Sequence, residues 1–210
     1  DNTIRKHASR CSINVKLKNK QFTMTSDTMY YDTKATLSHV VGPSVIHSEN
    51  GVVHTKDAYY NTSTERSELY GRSTVYNGPK TITADSLYTN NKTNTNEGFG
   101  NVVYVDSLNK NIFLGNHIYY EEKTGYGYAT DSAVVMDYSQ KDTLYLHGDS
   151  IKMYTFNIET DSVYRQIHAF NKVRAYRNDI QAVCDSLVYN SLDSCMTMYR
   201  DPIVWNMGRQ

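Results

Sequence analysis

Aspartate recurs at one place in a repeated pattern along this chain, and repeated carboxylates are the first chemistry to weigh. They stand in Ser26-Asp27-Thr28-Met29-Tyr30, Lys56-Asp57-Ala58-Tyr59-Tyr60 and Thr83-Ala84-Asp85-Ser86-Leu87-Tyr88. Looser copies follow at Asp131-Ser132-Ala133, Asp149-Ser150-Ile151 and Cys184-Asp185-Ser186-Leu187. Two carboxylates flanking one bond would suit glycoside hydrolysis. Acids that return once per repeat are spread along a molecule and do not converge, so these are read as architectural. The seven histidines show no metal-ligand spacing such as H-E-x-x-H. C-x-x-C, a P-loop and G-x-S-x-G are all absent. Gly125-Tyr126-Gly127-Tyr128 is glycine-rich but opens no helix, so it reads as a tight hairpin and not a phosphate site. Neither an enzyme nor a cofactor or metal is expected.

The elements that carry these residues follow from the spacing. The aspartates at 27, 57 and 85 are 30 and 28 residues apart. From the tyrosine that closes the motif, ten or eleven residues of polar turn and apolar return lead to a glycine: Tyr31 to Gly42, Tyr60 to Gly71, Tyr88 to Gly98, Tyr138 to Gly148. The pattern is strand, polar turn, strand, glycine kink, strand. Nineteen tyrosines, frequent Thr and Val and only three prolines favour strands, and no segment keeps an apolar period of 3.6. Short strands with regular turn signals predict an all-β sandwich, barrel or roll with very little helix. Alternation puts Asp85 on one face with Thr83 and Leu87, and Ile82, Ala84 and Tyr88 on the other. A glycine after a strand turns the sheet back on itself, and an aspartate there can bond backbone N–H groups at the bend.

Residues 157–164 interrupt the rhythm and are expected to form a longer loop. The chain is read as one elongated domain over 1–210, with 1–21 a weakly paired edge segment whose Lys16, Lys18 and Lys20 discourage uncontrolled strand addition. The net charge is zero at pH 7, against a nucleic-acid binder or a polybasic membrane anchor. No run of 18 apolar residues exists to cross a bilayer as a helix. No charged-then-apolar leader opens the chain at Asp1, so any export signal is expected to have been removed or never to have existed. Three cysteines are too few for a disulfide framework, and Cys184 and Cys195 are expected to be free thiols unless neighbouring strands bring them together.

Several stretches, taken in order, resemble the OstA-like proteins of the lipopolysaccharide-transport system, in the variant of Bacteroidetes-type bacteria. They are Ile82-Thr83-Ala84-Asp85-Ser86-Leu87-Tyr88, Gly98-Phe99-Gly100-Asn101-Val102, Ala129-Thr130-Asp131-Ser132-Ala133 and Lys141-Asp142-Thr143-Leu144-Tyr145-Leu146-His147-Gly148-Asp149. Val183-Cys184-Asp185-Ser186-Leu187 and Met198-Tyr199-Arg200-Asp201-Pro202-Ile203-Val204-Trp205-Asn206 extend the match over roughly residues 22–210. The resemblance implies an elongated antiparallel β-jellyroll of the LptA type, two sheets folded into a V with an apolar interior. It implies a non-enzymatic periplasmic protein, associated with the outer membrane in one form. Such a protein carries or bridges lipopolysaccharide by holding lipid A acyl chains in the groove. Its implied partners are lipopolysaccharide, other jellyrolls of the transport system met through edge strands, and further copies of itself end to end. It carries over a face and no catalytic site.

The lining expected from the aspartate-bearing face is Met29, Tyr59, Leu87 and Leu187, with the post-glycine residues Val75, Val102, Ile118 and Ile151. Thr83 and Ser73 are expected to face outward. The competing reading is a structural or glycan-binding β-repeat surface protein, with a closed, side-chain-filled core and a platform of exposed tyrosines.

Overall fold

The structure is a computed structural model that describes residues 8–18, 22–49, 51–158 and 160–206; residues 1–7 and 19–21 of the expected edge segment, Lys20 among them, lie outside these. All regular structure among the described residues is β, in strands β1 (Ala8–Lys18), β2 (Phe22–Asp32), β3 (Leu37–Ser48), β4 (Gly51–Asn61), β5 (Arg66–Asn77), β6 (Lys80–Asn90) and β7 (Thr95–Asp106). The chain continues through β8 (Asn111–Glu121), β9 (Tyr126–Asp137), β10 (Leu144–Phe156), β11 (Tyr164–Arg177), β12 (Ile180–Asn190), β13 (Cys195–Tyr199) and β14 (Ile203–Asn206). Each strand pairs antiparallel with the next from β1 to β13, and β14 pairs with the other half of β12. The result is an elongated antiparallel jellyroll wall with low contact order. β1 pairs with β2 over its length, with Val15 and Leu17 toward the core and Lys16 and Lys18 exposed.

The polar stretches between repeats close four-residue hairpins, and their asparagines and aspartates hold the turns. Asn61 Oδ1 accepts from the backbone N–H groups of Ser63 and Thr64 (3.0 and 2.9 Å), and Asp32 Oδ1 does the same for Lys34 and Ala35 (2.8 and 3.0 Å). The last residue of each such loop, among them Thr36, Glu65 and Asn94, is left-handed. The longer loop falls at 157–163, between β10 and β11.

The repeat is built around a bend in mid-strand. Thr83 is opposite Val103 and Ser86 opposite Phe99, so two residues of β6 face three of β7 across the break in register. The extra residue lies where β7 turns left-handed, at Gly100 (φ 74°) and Asn101 (φ 46°). Gly42 and Gly71 mark the same place in β3 and β5, and the left-handed pairs Asp131–Ser132, Asn171–Lys172 and Arg200–Asp201 mark it in β9, β11 and between β13 and β14. The bend is sharp. A Cβ on Gly98 would lie 3.0 Å from Val102 Cγ1, four residues along the same strand, and 3.4 Å from Ala84 Cβ. Residues four apart on a straight strand are about 13 Å apart. The long strands therefore fold onto themselves, and the two sheets expected from the resemblance are two arms of one hydrogen-bonded sheet.

Two expectations change. Gly98 lies inside an arm and Gly148 at the register break of β10, both without positive φ, while the kink of β7 falls at Gly100–Asn101 and that of β9 uses no glycine. The bulge also breaks the period of two, so Asp85 does not share a face with Leu87. Ile82, Ala84 and Leu87 all enter the core, and Asp85 sits outside the bend. There it accepts from Asn101 Nδ2 (3.0 Å) and Arg72 Nη1 (3.2 Å), and Arg72 also donates to the Asn101 carbonyl (2.7 Å). This Asp85–Arg72 pair is half exposed, and a pair in that setting contributes about 0–1 kcal/mol. Its value is directional: it ties three neighbouring strands at the bend.

Asp85 lies across the bare Cα of Gly100, where a Cβ would meet Asp85 Oδ2 at 2.6 Å. Gly71 has the same handedness with open space around it. Gly100→Ala should therefore destabilise by about 2–3 kcal/mol, from left-handed strain plus the clash, and Gly71→Ala by only about 1 kcal/mol. Urea denaturation of both variants checks this; equal losses would remove the packing of Asp85 from the account.

Candidate functional site

The inner faces of the two arms share one apolar cluster. The first arm, C-terminal to the bend in even strands, contributes Met29, Leu69, Leu87, Ile118, Ala129, Ile151, Ala169 and Leu187. The second contributes Met24, Ala84, Val102, Phe113, Val135, Leu146, Val173 and Ala182. Leu87 and Ile151 are 1 % exposed and Leu187 not at all. Of the eight residues expected to line the interior, Met29, Leu87, Val102, Ile118, Ile151 and Leu187 are buried there, and Val75 packs against it half-buried. Tyr59 is the correction. Ala58 takes the position equivalent to Leu87, and Tyr59 points to the opposite face, stacked on His39 at 3.9 Å between centroids. The motif Lys56-Asp57-Ala58-Tyr59 is one residue out of step with Ala84-Asp85-Ser86-Leu87, which sequence matching on the aspartate conceals. Ser73 is also corrected: it is fully buried, while Thr83 shares a hydroxyl contact with Thr74 on the outer face.

Ser73 belongs to a row of hydroxyls at the seam of the N-terminal strands. Ser44 Oγ donates to Ser26 Oγ (2.8 Å), and Thr55 Oγ1 and Ser73 Oγ are 2.8 Å apart. Each also donates to a carbonyl beside the bulge: Ser44 to that of Gly42, Ser73 to that of Gly71, Thr55 to that of Asp57. From β6 onward Ala84, Val102, Ala133 and Val173 line the same seam, so the interior turns from part-polar to apolar along the sheet.

The space between the arms is filled. The interior cavity bounded by Tyr104, Phe113, Ile118, Tyr120, Ile151 and Met153 holds about 30 Å³, room for one water and far below the few hundred Å³ of a ligand pocket. At its mouth the arms touch. The rings of Tyr104 on the second arm and Tyr120 on the first lie 6.2 Å apart, and Lys80 Nζ sits 5.5 Å from the Tyr120 centroid. Arg165, from the start of β11 on the first arm, donates to Asn109 Oδ1 (3.4 Å) in the loop that ends the second. Asp106 holds Asn109 in place, accepting from its backbone N–H (3.0 Å) and its side-chain amide (2.6 Å). Burial pushes the Tyr104 and Tyr120 hydroxyls up, Asp106 and Glu122 add to this, and Arg165 opposes it. This clasp was not legible in the sequence, because its members come from separate repeats and belong to no motif.

Cys184 is buried and Cys195 exposed; both are free, since Cys184 lies opposite Val173 and Cys195 opposite Asn190. Burial raises the Cys184 thiol, which makes it a poor nucleophile. Among the described residues no group of three His, Cys, Asp or Glu side chains is placed to hold a metal.

This geometry defines a folded antiparallel sheet with a shared apolar interior, whose outermost strands among the described residues are β1 at one end and β13 with β14 at the other. No family model and no curated protein matches the sequence. Among solved structures the chain is similar to LptH, the LptA-homologous periplasmic component of the lipopolysaccharide transport device of Pseudomonas aeruginosa. The two share 16% identity over 58% of this chain and 82% of that one, with a TM-score of 0.47.

Histidine 168 reports on the outer surface of the first arm. Burial, then the nearby Lys152, hold its imidazole below the ordinary histidine range. Folding thus favours neutral His168, and its contribution to stability is present above the unfolded histidine pKa and is lost as pH falls below it. In an NMR titration His168 should protonate at lower pH than an exposed histidine, and Lys152→Ala should move it part of the way back.

Proposed function

We propose that this protein is a non-enzymatic carrier or bridge for an amphiphile of the lipopolysaccharide class, taking acyl chains between its two arms. The observation that supports it is the inner face itself: one apolar surface crossing strand after strand, hinged along one side and held at the mouth by the clasp. The sequence resemblance to OstA-like proteins supplies the class of amphiphile and the periplasmic setting.

Because the interior is filled, loading requires the arms to part. The magnitudes allow this where the acyl chains re-cover the apolar faces that part, so that the clasp is the net cost. Ten methylenes moved out of water contribute roughly 8 kcal/mol at about 0.8 kcal/mol each. A partly exposed cation–π contact such as Lys80 over Tyr120 contributes about 1 kcal/mol, and a neutral ring pair or a hydrogen bond to Asn109 is of similar size. The polar head remains at the mouth, beside Lys80 and Arg165. The ends of the sheet suit a bridge. Lys16 and Lys18 guard the β1 edge, whereas all four residues of β14 are exposed, Ile203 and Trp205 among them. An exposed apolar edge is a template for strand addition.

Photo-crosslinking tests the reading. A benzoylphenylalanine in place of Leu87 or Ile118 should capture lipopolysaccharide, and one in place of Thr83 should capture little; no capture from any inner position overturns the proposal. Lys80→Ala should speed loading about fivefold if the clasp limits it, which is the effect of removing about 1 kcal/mol from the barrier. For the bridge, Trp205 is the single tryptophan and half exposed. Its emission should shift to the blue as protein concentration rises, in step with association measured by sedimentation. A monomer with unchanged emission at every concentration removes end-to-end assembly.

A further inference from the structure

The outer face of the first arm carries a feature that neither the core nor the clasp uses. Direct cross-strand neighbours form one row across it: Tyr30, His39, Tyr59, Glu68, Tyr88, Glu97, Tyr119, Tyr128, Lys152 and His168. A second row beside the bend includes Asp57, Tyr70, Phe99, His117 and Phe170. Rings from the two rows touch in sequence, from Tyr59 to Tyr70 (6.2 Å), Tyr88 (6.0 Å), Phe99 (5.8 Å) and His117 (4.3 Å). Acids are set among them: His39 Nε2 is 2.8 Å from Asp57 Oδ1, His117 Nε2 is 2.7 Å from Glu97 Oε1, and Tyr70 donates to Glu68 (2.9 Å).

Cross-strand ring pairs stabilise a sheet, and that accounts for each contact singly. It does not account for carboxylates alternating with the rings, nor for the opening between them. Arg66, Tyr88, Glu97 and Phe99 bound an open depression of about 360 Å³, with a carboxylate and a guanidinium flanking two rings set edge to face.

We propose that this strip binds a neutral oligosaccharide, with the depression at Tyr88, Phe99, Glu97 and Arg66 as its central subsite. Ring surfaces take the apolar faces of the sugar, while Glu97 accepts from its hydroxyls in charge-assisted hydrogen bonds and Arg66 donates to them. Alternate members of the row, Tyr59, Tyr88 and Tyr119, stand two strands apart, about 10 Å at the usual strand spacing. The platform therefore repeats along a chain ligand. The carboxylates decide against other occupants. A docked protein would leave Glu68 and Glu97 in a desolvated interface whose core normally excludes charge, and a polyphosphate or an anionic membrane would be repelled. This site is on the far side of the sheet from the acyl-binding interior and does not rest on that reading.

Calorimetric titration with cellohexaose, maltohexaose and hexa-N-acetylchitohexaose tests it. Saturable binding of at least one is expected, weakened about tenfold or more by Tyr88→Ala and by Glu97→Gln. Tyr145→Ala, on the outer face of the other arm and also exposed, should leave it unchanged. Glu97→Gln keeps the side-chain shape, so it decides the matter if Tyr88→Ala fails to fold. No binding of any of the three, or full binding by Glu97→Gln, overturns the proposal. So does a dimer in sedimentation that Tyr88→Ala abolishes, which would assign the strip to a second copy. Lipopolysaccharide capture from position 87 should persist in Glu97→Gln, which keeps the two sites distinguishable.

Discussion

Everything in this molecule depends on a left-handed bend placed at the same level in successive strands. One extra residue in each odd strand turns the backbone back, and the neighbours must turn at the same level to keep their hydrogen bonds. The bend converts an open sheet, which has one buried face at most, into two arms that bury their inner faces against each other. That is why a chain with 12% aromatic residues and no helix among its described residues can assemble a continuous core. The aspartates and the seam hydroxyls both serve this bend. Asp27 and Asp85 lie over glycines outside it, and Ser44, Thr55 and Ser73 donate to carbonyls beside it inside.

The same device gives the two faces of an arm different work. Inside, small residues at the seam let the arms approach, and larger ones farther out fill the widening gap up to the Tyr104–Tyr120 contact. The arms are joined by continuous backbone on one side, by the apolar faces they bury against each other, and by a few weak contacts at the mouth. Under the proposed function opening starts at the mouth, where a cation–π contact and one hydrogen bond are small against the burial of an acyl chain. Outside, among the described residues, no second layer covers the rings, and they pack against one another in rows.

Much of the fold was legible from the repeat. The strand-turn-strand unit, the all-β class, the loop near 157 and the aspartate at the bend all follow from spacing and residue type. The orientation of single residues was less so, for one physical reason. Alternation holds only within an arm, and the bulge resets it, which is why Leu87 lies inside with Ala84 and not beside Asp85. Tyr59 was misplaced because Asp57 stands one residue later in its repeat than Asp85, and Ser73 shares the inner face of its arm with Val75. Bends at Asp131–Ser132 and Asn171–Lys172 lack the glycine that marks the early repeats, since aspartate and asparagine tolerate the left-handed region. The clasp and the aromatic rows join residues from separate repeats, and only the register of the folded sheet brings them together.

The central claim is that a closed interior opens at its mouth to take lipid. The distance between spin labels at Leu108, in the loop ending the second arm, and Lys123, in the loop ending the first, measures this directly once the native cysteines are replaced. Electron–electron resonance with and without lipopolysaccharide should show one narrow distance in the free protein and a longer one when lipid is bound. Lipid bound at the inner face with that distance unchanged would contradict the account.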